Sequence, residues 1–255
     1  RDGPRLSWWH WSYRNAYVQA MRLDPSARIL DLGCGTGVVA RALARDGHAG
    51  QITAVDQSPV LLQAGRRLAA EEGVERRIEF RAMDVHALDL ADEAFDAVIA
   101  NTLVSHVTDP LLVLEQAARV LRPTGVIAVF DGDYASLTYG CSDPALGEEM
   151  EQALLDAIVS KPRVMRDLPR LLRKAGLRIE EIQPHLYADI GTSRFFLSLA
   201  ETYVPLAARD GLLAAEEVDA WLADQRQSHE EGTFFAACSY YAYIARRHGS
   251  ARLDL

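Results

Sequence analysis

Three glycines at alternate positions, Gly33, Gly35 and Gly37, follow an apolar run in the stretch ILDLGCGTG, residues 29–37. Glycine lets the backbone adopt conformations closed to other residues, and it lets a ligand approach the main chain closely. Where such a turn leads into a helix, the free amides of the first helical turn attract negatively charged groups. The stretch therefore predicts a ligand-binding turn between a strand and a helix.

The spacing of these glycines distinguishes between ligands. A dinucleotide-binding turn has the pattern G-x-G-x-x-G, but here the third glycine comes one residue early and Val38 follows it. A Walker loop would continue with Gly-Lys-Ser/Thr, which this stretch does not. Asp56 ends the next apolar run, where a carboxylate can accept hydrogen bonds from both hydroxyls of a ribose. The pattern indicates a nucleoside-containing ligand without a pyrophosphate.

The elements that must position these residues alternate along the first half of the chain. The sequence predicts strands at 28–32, 52–56, 78–83, 95–100 and 126–130, and helices at 38–46, 59–72 and 110–121. Ser58 and Pro59 are typical of the first residues of a helix. Near-continuous apolar strands between helices favour a parallel sheet buried on both faces, so the fold class is α/β and doubly wound.

The second half of the chain has a different pattern. Helices are predicted at 146–158 and 166–175, and two more carry the apolar sets Phe195, Leu199, Tyr203 and Val218, Trp221, Leu222. A strand at 178–187 is expected to be interrupted at Pro184, and 235–245 is an aromatic strand. Because no repeat or low-complexity linker separates these segments, residues 1–255 are expected to form one domain.

The composition excludes several classes of protein. The chain has 255 residues, about half of them hydrophobic, and a net charge of −9 without a basic cluster, which argues against a nucleic-acid partner. Three cysteines give neither a disulfide framework nor a metal-binding spacing, so we expect no metal and a reducing compartment. No apolar run approaches the roughly 18 residues of a membrane span, and no signal peptide is evident. We expect a cytoplasmic protein.

Five ordered motifs together resemble the class I S-adenosylmethionine-dependent methyltransferases: ILDLGCGTG, VDQSP, MDVHAL, FDAVIANTLVSHVTDP and ARVLRPTGVIAV. The similarity covers roughly residues 27–131 and is strongest to the branch of ubiquinone and menaquinone biosynthesis methyltransferases and small-molecule tailoring enzymes. It implies a Rossmann-like, mostly parallel sheet of seven strands with the last one antiparallel, and helical cap insertions. It also implies S-adenosyl-L-methionine as the cofactor and methyl transfer to a small molecule. Thr124 departs from the family, which usually has glycine there, without an expected functional consequence.

The resemblance also assigns cofactor-binding positions. Those that match are Asp31, Gly33, Gly35 and Gly37 for the methionine portion, Asp56 for the ribose, Gln57 and Val85 beside the adenine, Asp84 for the adenine amino group, and Asn101 where the sulfonium meets the acceptor. Structural alternatives stay open for three of them. Asp56 would also serve as a helix cap, Asp84 as a surface turn acid, and Asn101 as a cap for the following turn.

Several residues are candidates for contact with the acceptor. His106 matches a histidine that the resembling branch often carries near the transferred methyl group, so it is a candidate base; alternatively it fixes its loop by a backbone hydrogen bond. Asp131, Asp133 and Tyr134 follow the predicted fifth strand and are expected to face the mouth of the site. There they would bind or deprotonate an acceptor, or form an ordinary acidic turn.

Aromatic residues are concentrated in the N-terminal stretch SWWHWSYRN. Residues 1–26 are expected to form a helical lid over the sulfonium, whose charge is attracted to aromatic faces, or a helix packed on the body. Tyr13 and Arg14 are candidate partners of the cofactor's carboxylate. Residues 133–176 and 190–230 would form an acceptor-binding cap, whose Phe, Leu and Tyr content favours a largely apolar small molecule.

Methyl transfer is an in-line displacement at an already activated carbon, so the protein mainly supplies alignment and exclusion of water. A base is needed only where the acceptor must lose a proton, as for a phenol or alcohol. The acceptor atom (O, N or C) and the choice between monomer and homodimer stay open. Three alternatives are a cyclase that binds the same cofactor, a nicotinamide-dependent oxidoreductase, which the glycine spacing disfavours, and a regulatory binding protein.

Overall fold

A computed structural model of the chain describes residues 8–48, 50–209, 211 and 213–247. The strands are β1 (Ile29–Leu32), β2 (Ile52–Asp56), β3 (Ile78–Ala82), β4 (Phe95–Asn101), β5 (Leu121–Tyr139), β6 (Leu177–Gly191) and β7 (Phe234–Arg247). The helices are α1 (Trp8–Met21), α2 (Val38–Arg45), α3 (Pro59–Glu71), α4 (Pro110–Val120), α5 (Pro144–Ile158), α6 (Val164–Lys174), α7 (Phe196–Arg209) and α8 (Ala215–Glu231). Most bounds in the first half agree with the sequence patterns to within a residue or two.

The strands form one sheet in the order β3-β2-β1-β4-β5-β7-β6. The first five strands pair in parallel, whereas β7 runs antiparallel to both of its neighbours. This confirms the doubly wound, Rossmann-like α/β fold with seven strands and an antiparallel last strand. The strand order reverses between β1 and β4, and the carboxyl ends of the strands beside such a switch point are where ligands bind in this class of fold.

Both faces of the sheet are covered, which explains the near-continuous apolar strands. On β1, Ile29 packs into the core on one face, and Leu30 and Leu32 pack into the core on the other. Side chains along a strand alternate between the faces. A strand with helices on both sides therefore needs apolar residues at successive positions.

β5 is longer than its sequence pattern indicates. It continues beyond residue 130 to Tyr139, because β7 offers a long partner strand: Asp133 lies opposite Ser239, and pairing resumes at Thr138 opposite Ala237 after a register shift. The prediction that Asp131, Asp133 and Tyr134 follow the strand is therefore wrong. They lie within it.

The predicted interruption of β6 at Pro184 is also wrong. β6 runs through this residue without a break, and Pro184 lies opposite Tyr241 of β7. β6 is the last strand of the sheet, so one of its edges has no neighbouring strand among the described residues. A proline lacks the N–H that a ladder needs, and an edge strand tolerates that loss.

The range 133–176 does not form one helical cap. Its first residues belong to β5, and α6 packs beside α4, where Leu168 and Leu172 are fully buried in the core on that face. On the other face α5, α7 and α8 form a helical layer whose core includes Met150, Phe196 and Trp221. Residues of α1, α2 and α3 belong to the core on this face as well.

A single buried carboxylate secures the start of α7. One oxygen of Asp189 accepts the backbone N–H groups of residues 194–196 at 2.9 to 3.0 Å and the hydroxyl of Ser193 at 2.8 Å, and the other accepts the Tyr187 hydroxyl at 3.0 Å. Burial alone would raise the pKa of Asp189, but these hydrogen bonds lower it.

Asp189→Ala is expected to lower the free energy of unfolding by about 3 kcal/mol, because hydrogen bonds to a charged group contribute about 1.5–3 kcal/mol each and buried donors lose their acceptor. Since the pKa is lower in the folded state, this stabilisation is present above the unfolded value of about 4 and is lost as the pH falls below it. Urea denaturation measures the effect. Asp143→Ala, which removes the capping carboxylate of α5 at an exposed position, is the control and should cost about 1 kcal/mol. Equal losses for the two variants would contradict this account of α7.

Candidate cofactor and acceptor site

The glycine turn joins β1 to α2 with all three glycines in left-handed conformations. Their φ angles are 63° at Gly33, 55° at Gly35 and 72° at Gly37. A Cβ on Gly33 would lie 2.6 Å from Leu103 Cδ1, and one on Gly37 would lie 2.6 Å from Phe80 Cε1. A Cβ on Gly35 would meet no heavy atom of the described residues within 4 Å, its chain neighbours apart. Packing explains the outer two glycines, and the middle one leaves space for a ligand against the main chain.

Asp56, at the end of β2, holds this turn. Its Oδ2 accepts the Gly35 N–H at 2.8 Å, and its Oδ1 accepts the Ser58 N–H at 2.9 Å, one residue before α3 begins. Ser58 in turn caps α3 by accepting the Leu61 N–H at 3.3 Å. A carboxylate oxygen has two lone-pair sites, so each oxygen of the half-buried Asp56 retains one acceptor site. The carboxylate can therefore act both as a turn-forming group and as a ligand acceptor.

Asp31 lies beneath the glycine turn, on β1, and is only 1% exposed. Its Oδ2 accepts the Ala40 N–H from the first turn of α2 at 3.2 Å. Burial raises the pKa of Asp31 to about 7; the Ala40 bond opposes this shift and the charge of Asp56 adds to it. Without a cation nearby, a large fraction of this carboxyl group is protonated at neutral pH.

The raised pKa of Asp31 predicts a pH-dependent cost to folding. Between about pH 4 and pH 7 the unfolded chain has released the proton and the folded chain retains it, so the free energy of unfolding falls as the pH rises through this window and then levels off. The difference between a pKa of about 4 in the unfolded chain and about 7 in the folded chain corresponds to about 4 kcal/mol at pH 8. Asp31→Asn, which keeps an acceptor for Ala40 without ionising, should be more stable than the wild type by about that amount at pH 8 and similar to it at pH 4. Urea denaturation at both pH values tests this. If the two proteins differ in their free energy of unfolding by the same amount at pH 4 and at pH 8, the prediction is wrong.

Asp84 and Val85 follow β3. Asp84 is exposed, and its Oδ1 accepts the His86 N–H at 2.9 Å and contacts His86 Nδ1 at 2.7 Å; these bonds lower the pKa of Asp84. Val85 is buried. His86 Nε2 accepts the Asp109 N–H at 3.4 Å, so the imidazole connects this turn to the loop after β4. Sequence reasoning missed His86, although its two-residue spacing from Asp84 is a turn signal. Gln57, after β2, is exposed.

Asn101 ends β4, beside the glycine turn. Its Oδ1 accepts the hydroxyl of Tyr17 at 3.1 Å, and its Nδ2 donates to Thr102 Oγ1 at 3.3 Å. Tyr17, on α1, is fully buried and its ring stacks on Phe130 of β5 with centroids 5.6 Å apart. The amide of Asn101 is thereby held by α1, part of the segment for which the sequence left open a lid over the sulfonium or a helix packed on the body. The signal for Tyr17 is its place in the aromatic N-terminal segment.

A set of aromatic residues, here named the aromatic wall, extends from this point along β5, β6 and β7. Its members are Tyr17, Phe130, Tyr134, His185 and Tyr240. Neighbouring ring centroids are 5.6 to 6.2 Å apart. His106 is an exposed residue of the otherwise largely buried loop after β4, and its ring centroid lies 6.3 Å from that of Tyr134. The structure thus brings Tyr134 and His106 together. Three further members of the wall were not among the candidates from the sequence: Phe130, His185 and Tyr240.

Asp131 and Asp133 point away from the aromatic wall, because alternate residues of a strand face opposite sides of the sheet. Asp131 is fully buried and accepts the N–H and hydroxyl of Ser105, each at 3.0 Å, and burial raises the pKa of Asp131 to about 6. Asp133 pairs with Arg166 of α6 at 2.8 Å. These contacts argue against the expected acceptor contact of both carboxylates. They fix the loop after β4 and the start of α6.

Tyr13 and Arg14 are the N-terminal candidates for contact with the cofactor's carboxylate. Tyr13 belongs to α1, but its side chain lies outside the described residues, as do those of Trp8, Trp9 and Trp11. The guanidinium of Arg14 is 6% exposed and bonds to Asp46 Oδ2 at 2.6 Å, at the end of α2 opposite the glycine turn. Burial lowers the pKa of Arg14, against the charge of Asp46. This geometry argues against contact between Arg14 and a cofactor carboxylate.

The sheet order and the tethered glycine turn at its switch point are typical of α/β folds that bind nucleosides. A family model described as a methyltransferase domain matches residues 23–164, more than half of the chain. A ubiquinone biosynthesis O-methyltransferase of Xanthomonas axonopodis pv. citri (strain 306) is 34% identical over 186 residues, which cover 68% of this chain and 72% of that protein. The chain belongs to the class I S-adenosylmethionine-dependent methyltransferase family, and S-adenosyl-L-methionine is its cofactor.

Solved structures agree with the fold. The [4+2]-cyclase SpnF superimposes with a TM-score of 0.63 at 24% identity, covering 97% of this chain and 84% of that one. Geranyl diphosphate C-methyltransferase from Streptomyces coelicolor A3(2), solved with Mg²⁺, geranyl diphosphate and S-adenosyl-L-homocysteine, has a TM-score of 0.58 at 18% identity and covers 93% and 80%.

The described residues contain neither a candidate membrane-spanning helix nor a candidate metal cluster. None of their helices combines the length and hydrophobicity that a membrane crossing requires. No group of three or more His, Cys, Asp or Glu side chains in this part of the chain is arranged to hold a metal ion.

Proposed function

We propose that this methyltransferase acts on a small, largely apolar acceptor that lies against the aromatic wall. The observation that carries the proposal is the row of ring contacts that begins at Tyr17, whose hydroxyl holds Asn101, and passes through Phe130 to Tyr240 and Tyr134. Ligand sites for small molecules are mostly apolar and aromatic with a few placed polar groups. The wall and the Asn101 amide have this composition.

The cofactor site is supported by the fit of the glycine turn. The open space at Gly35 permits close approach to the main chain, and we assign this turn and Asp31 to the methionine portion. An ammonium group would favour the ionised form of Asp31 and offset the cost of its burial. Asp56 would receive the ribose hydroxyls. Gln57, Asp84 and Val85 would surround the adenine.

The bound cofactor supplies an activated methyl group. The residues of this chain then have two tasks, alignment of the acceptor and exclusion of water. The aromatic wall does both, with Asn101 held in one orientation by Tyr17 and Thr102. We assign His106 the role of a base for acceptors that must lose a proton, and Asp131 the role of a positioning residue. Asp131 holds Ser105, the neighbour of His106 in the loop.

The experiment is a turnover assay with S-adenosylmethionine and a panel of apolar phenols, amines and enolisable ketones, read by mass spectrometry. The proposal predicts a product heavier by one methylene and one S-adenosylhomocysteine per product. His106→Gln should abolish the rise of kcat with pH for a phenol and leave an amine acceptor within about threefold. Cofactor that binds but is never consumed, across the panel, would contradict the proposal.

Non-methylating chemistry is the second candidate, and it rests on the similarity in fold to a [4+2]-cyclase over 97% of this chain. The same assay separates the two. A cyclase would convert its substrate to an isomer of equal mass and leave S-adenosylmethionine intact. The family assignment leaves the nicotinamide-dependent alternative without support.

The proposals on binding partners and cellular location are based on the net charge and the cysteines of the chain. A net charge of −9 favours a small-molecule acceptor over a nucleic acid. The cysteines Cys34, Cys141 and Cys238 are free thiols, and two of them are buried. We therefore propose a reducing, cytoplasmic location, and a monomer or homodimer as the functional state.

A further inference from the structure

A cavity separate from the proposed cofactor site lies at the ends of the strands opposite the glycine turn. It has a volume of about 410 Å³ and sits where β1, β4 and β5 begin and β7 ends. Four arginines line it: Arg22, Arg28, Arg122 and Arg246. We name it the arginine pocket. Since the proposed cofactor site lies at the other ends of the same parallel strands, the two sites are separated by the length of these strands.

Two of the four guanidinium groups are held in place by the surrounding protein. Arg246 bonds to Glu180 Oε2 at 2.8 Å and donates to the Thr124 carbonyl at 3.0 Å. Arg28 lies over the ring of Phe95, with its Cζ 5.6 Å from the centroid. A guanidinium has five N–H donors, so these contacts fix the groups and leave donors for a ligand.

The two acidic residues of the pocket already form hydrogen bonds or ion pairs with other residues of its lining. Asp96 accepts the Arg28 N–H at 2.8 Å with one oxygen and pairs with Arg122 through the other. Asp24 accepts the N–H of Ser26 at 2.8 Å. The lining therefore has four arginines against Asp24 and Asp96, with Glu180 paired to Arg246 beside it, in a chain of net charge −9. Among the described residues, Arg22 and Arg28 form no ion pair.

The backbone at Arg22 provides an independent observation. Arg22 follows the last residue of α1 and has a φ of 51°. This left-handed conformation is uncommon for residues other than glycine and is the place where a helix usually ends on glycine. Such an outlier is a ground for a functional hypothesis. An arginine kept there at a conformational cost points to a use for its side chain.

We propose that the arginine pocket binds a polyvalent oxyanion, the phosphoryl or polycarboxylate group of a small molecule. Guanidinium forks match both groups through paired N–H donors. Part of the site is rigid, which reduces the entropy lost on binding. The pocket is separate from the cofactor site, so the inference does not depend on the proposed acceptor.

The test is calorimetric titration of inorganic phosphate and of citrate, at constant ionic strength, into protein saturated with S-adenosylhomocysteine. The proposal predicts saturable binding of at least one of them, and the tighter anion identifies the source. Arg22→Gly should weaken that binding about tenfold or more and leave thermal stability equal or higher, because glycine accepts the left-handed backbone. Arg226→Gln, at an exposed ion pair with Glu201, is the charge control and should bind as the wild type does.

Three outcomes would overturn the proposal. One is the absence of saturable binding for both anions. Another is equal weakening by Arg22→Gly and Arg226→Gln, which would show a non-specific response to net charge. The last is saturable binding in a parallel titration without S-adenosylhomocysteine that is absent in its presence, which would place the anion in the cofactor site.

Discussion

Asp56→Ala is expected to weaken the binding of S-adenosylhomocysteine about 100-fold or more. The substitution removes the acceptor of the Gly35 N–H and, in our assignment, the acceptor of two ribose hydroxyls. Hydrogen bonds to a charged group contribute about 1.5–3 kcal/mol each, and 1.4 kcal/mol corresponds to tenfold in affinity. Isothermal titration calorimetry measures the dissociation constant directly.

The control for Asp56→Ala must separate binding from helix capping, because Asp56 also accepts the Ser58 N–H ahead of α3. Asp143→Ala provides it. Asp143 accepts the Ala145 N–H at 3.0 Å ahead of α5, remote from the glycine turn. It should cost a similar amount of stability and leave cofactor affinity unchanged. If the Asp56 variant binds as tightly as the wild type, the assignment of the ribose to this carboxylate is wrong.

The second large effect is expected at Gly35. Gly35→Ala places a methyl group in space that no described residue occupies within 4 Å, chain neighbours apart. The substitution should therefore lower the free energy of unfolding only by the cost of an alanine in the left-handed conformation, about 1–2 kcal/mol. The cofactor, in our assignment, needs that space, so its affinity should fall about 100-fold while the protein still folds. Thermal denaturation and calorimetry measure the two quantities separately.

Two other glycines supply matched comparisons. Gly73 has a φ of 69° and equally open surroundings, but it lies beyond α3; Gly73→Ala should lose similar stability and no affinity. Gly37→Ala would place its Cβ 2.6 Å from Phe80, so it should lose more stability than Gly35→Ala. Equal effects of the Gly35 and Gly73 variants on affinity would contradict the placement of the cofactor.

The turns and strand ends to which we assign the cofactor were predictable because their signals are local. The glycines at alternate positions, the carboxylate at the end of β2, and the Ser58-Pro59 helix start each act within a few residues, and all lie where the pattern indicated. The mostly parallel, doubly wound sheet with an antiparallel last strand followed from the alternation of apolar strands and helices together with the family resemblance. These features depend on backbone conformation and periodicity, which short stretches specify.

The acceptor side depends on contacts between distant segments, which no local pattern encodes. Tyr17 reaches Asn101 across 84 positions, and Asp131 holds Ser105 across 26. The extension of β5 to Tyr139 exists because β7 pairs with it. Arg14 was expected near the cofactor, yet its ion pair with Asp46 directs it to the end of α2. In each case the sequence shows the type of the residue but not the distant residue that it contacts.

The central claim is that an adenosyl amino acid lies on the main chain at Gly35 with its ribose on Asp56. A crystal structure of the chain soaked with S-adenosylhomocysteine tests this most directly. We expect ligand density in contact with Gly35, both ribose hydroxyls within hydrogen-bond distance of the Asp56 carboxylate, and the sulfur beside Asn101. Density for the ligand at any other place in the molecule, with the glycine turn empty, would contradict it.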